Sequence, residues 1–109
     1  MPELFESYDV IGNVKSDIAN ELDINTSKVV AGAGDNAAAA IGTGTLGNGK
    51  CNISLGTSGT VFISSDKFGV DENNALHSFC HADGGYHLMG CILSAASCHK
   101  WICDKIFTE

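Results

Sequence analysis

Between residues 26 and 60 only Lys28, Asp35 and Lys50 carry charge, while glycines recur at 32, 34, 42, 44, 47, 49, 56 and 59. A nearly uncharged stretch interrupted this often is cut into short elements joined by tight turns, because glycine disfavours long helix and permits sharp reversals. Polar ends flank it: residues 1–25 hold six acids and one lysine. Hydrophobic residues make up 44% and charged residues 17%, with a single proline, the balance of an ordered chain and not of a disordered one. At 109 residues the chain has the length of one small domain and is too short for a self-contained large enzyme.

The formal charge is −7 and all six basic residues are lysine. No arginine finger or bidentate guanidinium clamp can come from this sequence. The acidic balance speaks against nucleic acid and anionic membrane surfaces as partners. No apolar run approaches the roughly 18 residues of a spanning helix, and no secretory signal pattern opens the chain. These features predict a soluble, cytoplasmic protein. Five cysteines (Cys51, Cys80, Cys91, Cys98, Cys103) and four histidines (His77, His81, His87, His99) show no zinc-type spacing. Free, buried thiols are the expectation, with no metal site.

Periodicity predicts the following elements. A short apolar run covers Val10–Val14, and a helix begins at Ser16 and runs to Leu22. Val29–Ala31 reads as a buried strand, followed by a helix from Asp35 to Ile41 that Gly42 and Gly44 end. After the Asn48-Gly49 turn, Asn52–Leu55 and Thr60–Ser64 alternate as two strands joined by Gly56-Thr57-Ser58-Gly59. A second hairpin pairs Leu76–His81 with Tyr86–Leu93. Ser94 is placed to cap a helix from Ala95 to Phe107 whose Cys98, Trp101, Ile102 and Ile106 face the core.

Two stretches can carry chemistry. In Gly32-Ala33-Gly34-Asp35-Asn36 the glycines turn the backbone so that a short side chain at a helix start projects into a cleft. A carboxylate there meets free N–H groups and the positive end of the dipole, and it can act as a general base toward a hydroxyl held in reach. By spacing alone, the plainer reading is that Asp35 simply caps the helix. In Leu55-Gly56-Thr57-Ser58-Gly59-Thr60, small hydroxyl residues between glycines let N–H and Oγ donors approach an anion. No lysine follows and strands flank the turn on both sides, so it is not a Walker A loop; an ordinary tight turn is the alternative.

Taken together and in this order, Val29–Ala38 and Ser54–Gly59 resemble the FGGY family of carbohydrate kinases. The later stretches Leu76–Ala82 and Leu93–Cys98 are most similar to its bacterial xylulokinase branch. The resemblance covers the chain from about Val10 onward. It implies an α/β fold of the actin-like ATPase (ribonuclease H-like) kind. It further implies a central fragment, with residues 1–47 ending the first, sugar-binding domain and residues 48–109 beginning the second, nucleotide-binding one.

Carried over by position, the resemblance makes Asp35 the catalytic base and Asn36 a sugar contact. Gly56, Thr57, Ser58 and Gly59 match the turn at the ATP phosphates, Thr57 being the most direct contact. ATP and Mg2+ are the implied cofactors and D-xylulose the implied sugar, phosphorylated to D-xylulose 5-phosphate; a homodimer of the full-length parent is compatible. His77 and His81 are expected to pack or hydrogen-bond and not to bind metal. Ala33 stands where the family often has glycine. The N-terminal phosphate loop, the first-domain sugar contacts and the C-terminal adenine site have no counterpart here, so the chain alone is expected to be inactive. Two alternatives remain at this point: a kinase of the same family for glycerol, gluconate, ribulose or a deoxyhexulose, and a non-catalytic binding module built on the same fold.

Overall fold

The computed structural model of the chain describes residues 1–24 and 27–107. Strand β1 (Val10–Asn13) pairs antiparallel with β2 (Lys28–Val30), with a bulge between Val10 and Gly12, and helix α1 (Ser16–Glu21) lies in the connection. Helix α2 (Asp35–Gly42) follows. Four further strands form one antiparallel sheet in the order β3-β4-β6-β5: β3 (Cys51–Leu55), β4 (Gly59–Ser65), β5 (His77–Cys80) and β6 (Tyr86–Ile92). Helix α3 (Ala96–Lys105) ends the described chain.

Both expected hairpins form. The first keeps Leu55 opposite Gly59, and the second keeps Cys80 opposite Tyr86. What joins them is β4 against β6, paired from Gly59↔Ile92 to Ser65↔Tyr86. Paired residues share a face of the sheet. One face therefore carries Asn52, Thr60, Phe62, Ser64, His87, Met89 and Phe79. The other carries Ile53, Leu55, Val61, Ile63 and Ile92.

The covered face is the more polar of the two. Phe62 and Ser64 are 1% exposed, whereas Ile53, Leu55, Val61 and Ile92 are 62%, 73%, 44% and 58% exposed. Buried apolar side chains among the described residues are only Ala40, Phe62 and Ala82. The radius of gyration is 18.9 Å, against about 13 Å for a compact domain of this length. The accessible surface is 8193 Å², against about 5,700 Å² for a self-contained monomer of 11.3 kDa. The elements therefore do not close around a core of their own: they expose aliphatic faces that nothing in the described chain covers.

Several local expectations change for the same reason. Val29 and Val30 are exposed, not buried. No residue of α3 is buried; Trp101 and Ile106 are each 57% exposed, because no second layer lies over the face expected to meet a core. The five cysteines are free but exposed. Helix α2 takes in Gly42, one residue past the expected Ile41, and ends at Gly44 as read: Thr43 is its C-cap, Gly44 takes the left-handed φ of +71°, and Gly44 N–H and Thr45 N–H donate to Ile41 O and Ala40 O at 3.1 and 2.8 Å. A left-handed residue at this position is what satisfies the last carbonyls of a helix.

Candidate functional site

Strand β2 is followed by Gly32, whose φ of +80° turns the chain toward α2. Gly34 is the N-cap, with no side-chain cap, so Asp35 is the first helical residue and does not cap the helix. Its Oδ1 accepts the N–H of Asn36 at 2.8 Å and Asn36 Nδ2–H at 3.3 Å. The carboxylate is exposed and, among the described residues, its Oδ2 has no hydrogen-bond donor. It is held by one oxygen and open at the other.

The Gly56–Gly59 turn is built differently from an isolated hairpin tip. Its carbonyls serve the start of α3: Ala95 N–H and Ala96 N–H donate to Thr57 O and Gly56 O, each at 2.9 Å, and Ser97 Oγ–H donates to Thr57 O at 2.9 Å. These bonds do the work expected of Ser94. The cap residue is Ala95, with no side-chain cap, because the turn itself supplies the acceptors. Gly59 is essential to this docking. A Cβ there would lie 2.9 Å from Ala95 Cβ and 3.1 Å from Ile92 Cγ1. Gly56 N–H closes the turn onto Ser58 O at 2.9 Å, while no backbone acceptor among the described residues takes the N–H of Thr57 or Ser58. The turn is thus pinned through its carbonyls and through Ser58 Oγ–H, which donates to Leu93 O at 3.2 Å, and among the described residues it leaves the N–H groups of Thr57 and Ser58 and the Thr57 hydroxyl for an anion.

One hydrogen bond ties the two motifs together. Thr60 Oγ1–H, next to the turn, donates to Asn36 Oδ1 at 3.2 Å. Asn36 in turn donates to Asp35, so a continuous path runs from β4 to the carboxylate. The amide of Asn36 is engaged at both ends and keeps one N–H for another acceptor.

The Thr43–Gly47 connection between α2 and β3 is fastened to the sheet by four further bonds. Asn52 Nδ2–H donates to Thr43 Oγ1 at 2.7 Å, and Gly47 N–H donates to Asp83 Oδ2 at 3.4 Å. Ser64 Oγ–H donates to Gly47 O. His81, 3% exposed, donates from Nε2 to Thr45 O at 3.0 Å and accepts Ala82 N–H on Nδ1 at 2.8 Å. With Nδ1 accepting that N–H, Nε2 is the ring edge that donates to Thr45. It is a hydrogen-bonding residue, as expected, with Asp83 Oδ2 3.7 Å from its Nε2.

Between the start of α2 and strands β5 and β6 lies a cleft of about 320 Å³, lined by Gly34, Asp35, Asn36, Ala37, Phe79, Cys80, His87 and Met89. His87 was not singled out by sequence reasoning. It is 5% exposed and stacks on Phe62 with ring centroids 4.0 Å apart and on Phe79 at 5.3 Å. Burial holds its pKa below the ordinary histidine value, with His81 acting in the same direction and Asp83 against it. Its signal in the sequence was a histidine in strict alternation with Met89 and Cys91 on one face of β6. Trp101 lies on α3, outside this cleft. Among the described residues no cluster of three His, Cys, Asp or Glu side chains could hold a metal ion, and no helix is long and apolar enough to cross a membrane.

No family model matches the chain. Relatives do. The chain is 47% identical over 102 residues to the xylulose kinase of Klebsiella pneumoniae, covering 93% of this chain and 21% of that protein. It is 44% identical over 102 residues to the xylulose kinase of Escherichia coli (strain K12), again covering 93% and 21%. A crystal structure of a "xyloylose kinase" from Brucella ovis superposes with a TM-score of 0.89 at 39% identity, over 99% of this chain and 23% of that one. A gluconate kinase from Lactobacillus acidophilus, at 24% identity over 97% and 22%, has the same fold with a TM-score of 0.87. The chain spans about a fifth of the length of the curated relatives it matches. In sequence and in fold it is homologous to a segment of the FGGY sugar kinases, among them the xylulose kinases, and carries part of their actin-like ATPase fold.

Proposed function

We propose that this chain is the segment of a longer sugar kinase in which the sugar-binding and nucleotide-binding domains meet, residues 1–47 closing the first and 48–109 opening the second. The reaction is transfer of the γ-phosphoryl of MgATP to a ketopentose, D-xylulose, giving D-xylulose 5-phosphate in cytoplasmic xylose metabolism. The observation that carries this reading is the Thr60–Asn36–Asp35 chain, which couples a half-free carboxylate to a turn with free donors. The identity to xylulose kinases supports the sugar.

Asp35 Oδ2 receives the proton of the terminal sugar hydroxyl. The sugar hydroxyl oxygen attacks the γ-phosphorus as the bond to the bridging oxygen breaks, and ADP leaves. Asn36 orients Asp35 and offers its remaining N–H to the sugar. The free donors of the Gly56–Gly59 turn, the N–H groups of Thr57 and Ser58 and the Thr57 hydroxyl, face the phosphates, where neutral N–H and O–H groups stabilise redistributing charge. These residues suit a phosphate chain but offer no carboxylate set for Mg2+, which fits an ion that comes with the nucleotide and keeps waters.

In the full-length protein, Asp35→Asn is expected to lower D-xylulose phosphorylation at least 10²-fold while ATP binding stays within about twofold. Turnover close to wild type would refute the assignment of the base. The exposed aliphatic faces fit a segment whose core is completed elsewhere in the longer protein.

A further inference from the structure

The cleft beside Asp35 contains a polar ring to which neither the sequence nor the relatives assign a part. His87 is 95% buried by its 5% exposure, is clamped in a stack between Phe62 and Phe79, and lines the same cleft as Asp35 and Asn36. Its Nδ1 is sealed from solvent and has no hydrogen-bond partner among the described residues. Buried polar atoms are nearly always paired, and an unpaired one needs a reason. With Nδ1 sealed, Nε2 is the ring edge left for the cleft, and a proton carried there makes it a donor.

We propose that His87 is a sugar-binding residue of this site, presenting a neutral Nε2–H to a hydroxyl of an uncharged polyol or ketose whose reacting hydroxyl is held by Asp35. This inference rests on the kinase reading above and deepens it. The stack fixes the ring plane on both faces, so the donor is pre-positioned and costs little rotamer entropy on binding. Burial lowers the pKa of His87 and so favours the neutral ring, and Asp35 is the carboxylate among the described residues that line the cleft. A neutral donor beside a carboxylate suits a hydroxyl, which can accept from one and donate to the other. Phe79 and Met89 line the same cleft and supply apolar surface for the C–H faces of the sugar.

The test uses the full-length kinase. His87→Phe keeps the stack and removes the donor; it should raise the KM and the dissociation constant for D-xylulose about five- to tenfold with KM for ATP unchanged. His87→Gln places an amide N–H near the Nε2 position and should recover part of that loss. His87→Asn, whose amide reaches only the Nδ1 position, should not. Sugar binding measured calorimetrically without nucleotide gives a readout independent of turnover, and a melting curve confirms that the variants fold. If wild type phosphorylates D-xylulose but His87→Phe binds it as tightly as wild type, this inference is overturned and the kinase reading stands. If wild type phosphorylates no ketose or polyol, the kinase reading itself is overturned, and the inference with it.

Discussion

Replacing Gly59 by alanine probes the joint between the hairpin turn and α3. The added Cβ would sit 2.9 Å from Ala95 Cβ and 3.1 and 3.4 Å from Ile92 Cγ1 and Cδ1. Ile92 can rotate away, but Ala95 has no side-chain torsion, so the start of α3 must retreat by roughly 0.7 Å to restore ordinary contact. Three bonds of 2.9 Å cross this joint, from Ala95 N, Ala96 N and Ser97 Oγ. A retreat of that size stretches them past the range in which they count as hydrogen bonds. Overpacking costs about 1–3 kcal/mol, and the alanine recovers about 0.4–1 kcal/mol by restricting the unfolded chain. The net local loss is about 1–2 kcal/mol, or five- to thirtyfold faster amide exchange at Ala95 and Ala96 in the full-length protein. Hydrogen–deuterium exchange on the peptide spanning 92–98 reads it. Gly56→Ala is the control, since a Cβ there meets only Ser58 O at 3.7 Å. Equal exchange in the two variants would refute the steric argument.

Three further outcomes follow from the same contacts. Thr60→Val removes the donor to Asn36 with little change of shape and should lower kcat/KM for the sugar about tenfold; steady-state kinetics with an unchanged value would show that the path to Asp35 is idle. Because burial lowers the pKa of His87, the folded state binds fewer protons there than the unfolded one. Its stability contribution is present above the unfolded value of about 6.5 and is lost as pH falls toward the lower folded value, so the melting temperature of wild type should fall more between pH 7 and pH 5 than that of His87→Phe, and parallel curves would contradict this. The isolated 109-residue chain, with aliphatic faces open, should give no sharp monomeric melt and should self-associate in sedimentation; a cooperative monomeric transition would show that it completes its own core.

Much of the architecture was legible because local rules decided it. The alternation of Asn52–Leu55 and Thr60–Ser64 around four small residues left one register for the first hairpin, and Gly44 supplied the left-handed residue that ends α2. The pairing of β4 with β6 was not legible, since it depends on contacts between residues far apart in sequence. The face of α3 was misread for a related reason. Cys98, Trp101 and Ile106 form an apolar stripe, but a stripe says only that a helix has something to cover, not that this chain covers it. Ser94 was misread as a cap because a hairpin turn provided the acceptors from 40 residues away, as the Ser97–Thr57 bond shows. Within the site, Asp35, Asn36 and the turn were found from short motifs. His87 was not, because its place depends on which strand faces α2.

The central claim is that this segment supplies the base and the phosphate turn of a xylulose kinase. Its most direct test replaces the matching 102 residues of the Klebsiella pneumoniae enzyme, 47% identical, with this chain. Phosphorylation of D-xylulose is then measured with Asp35 intact and with Asp35→Asn. The account predicts turnover within about tenfold of the parent for the first and a loss of at least 10²-fold for the second. A folded exchange protein that binds sugar and ATP but does not turn over, or one that keeps its rate without Asp35, would contradict it.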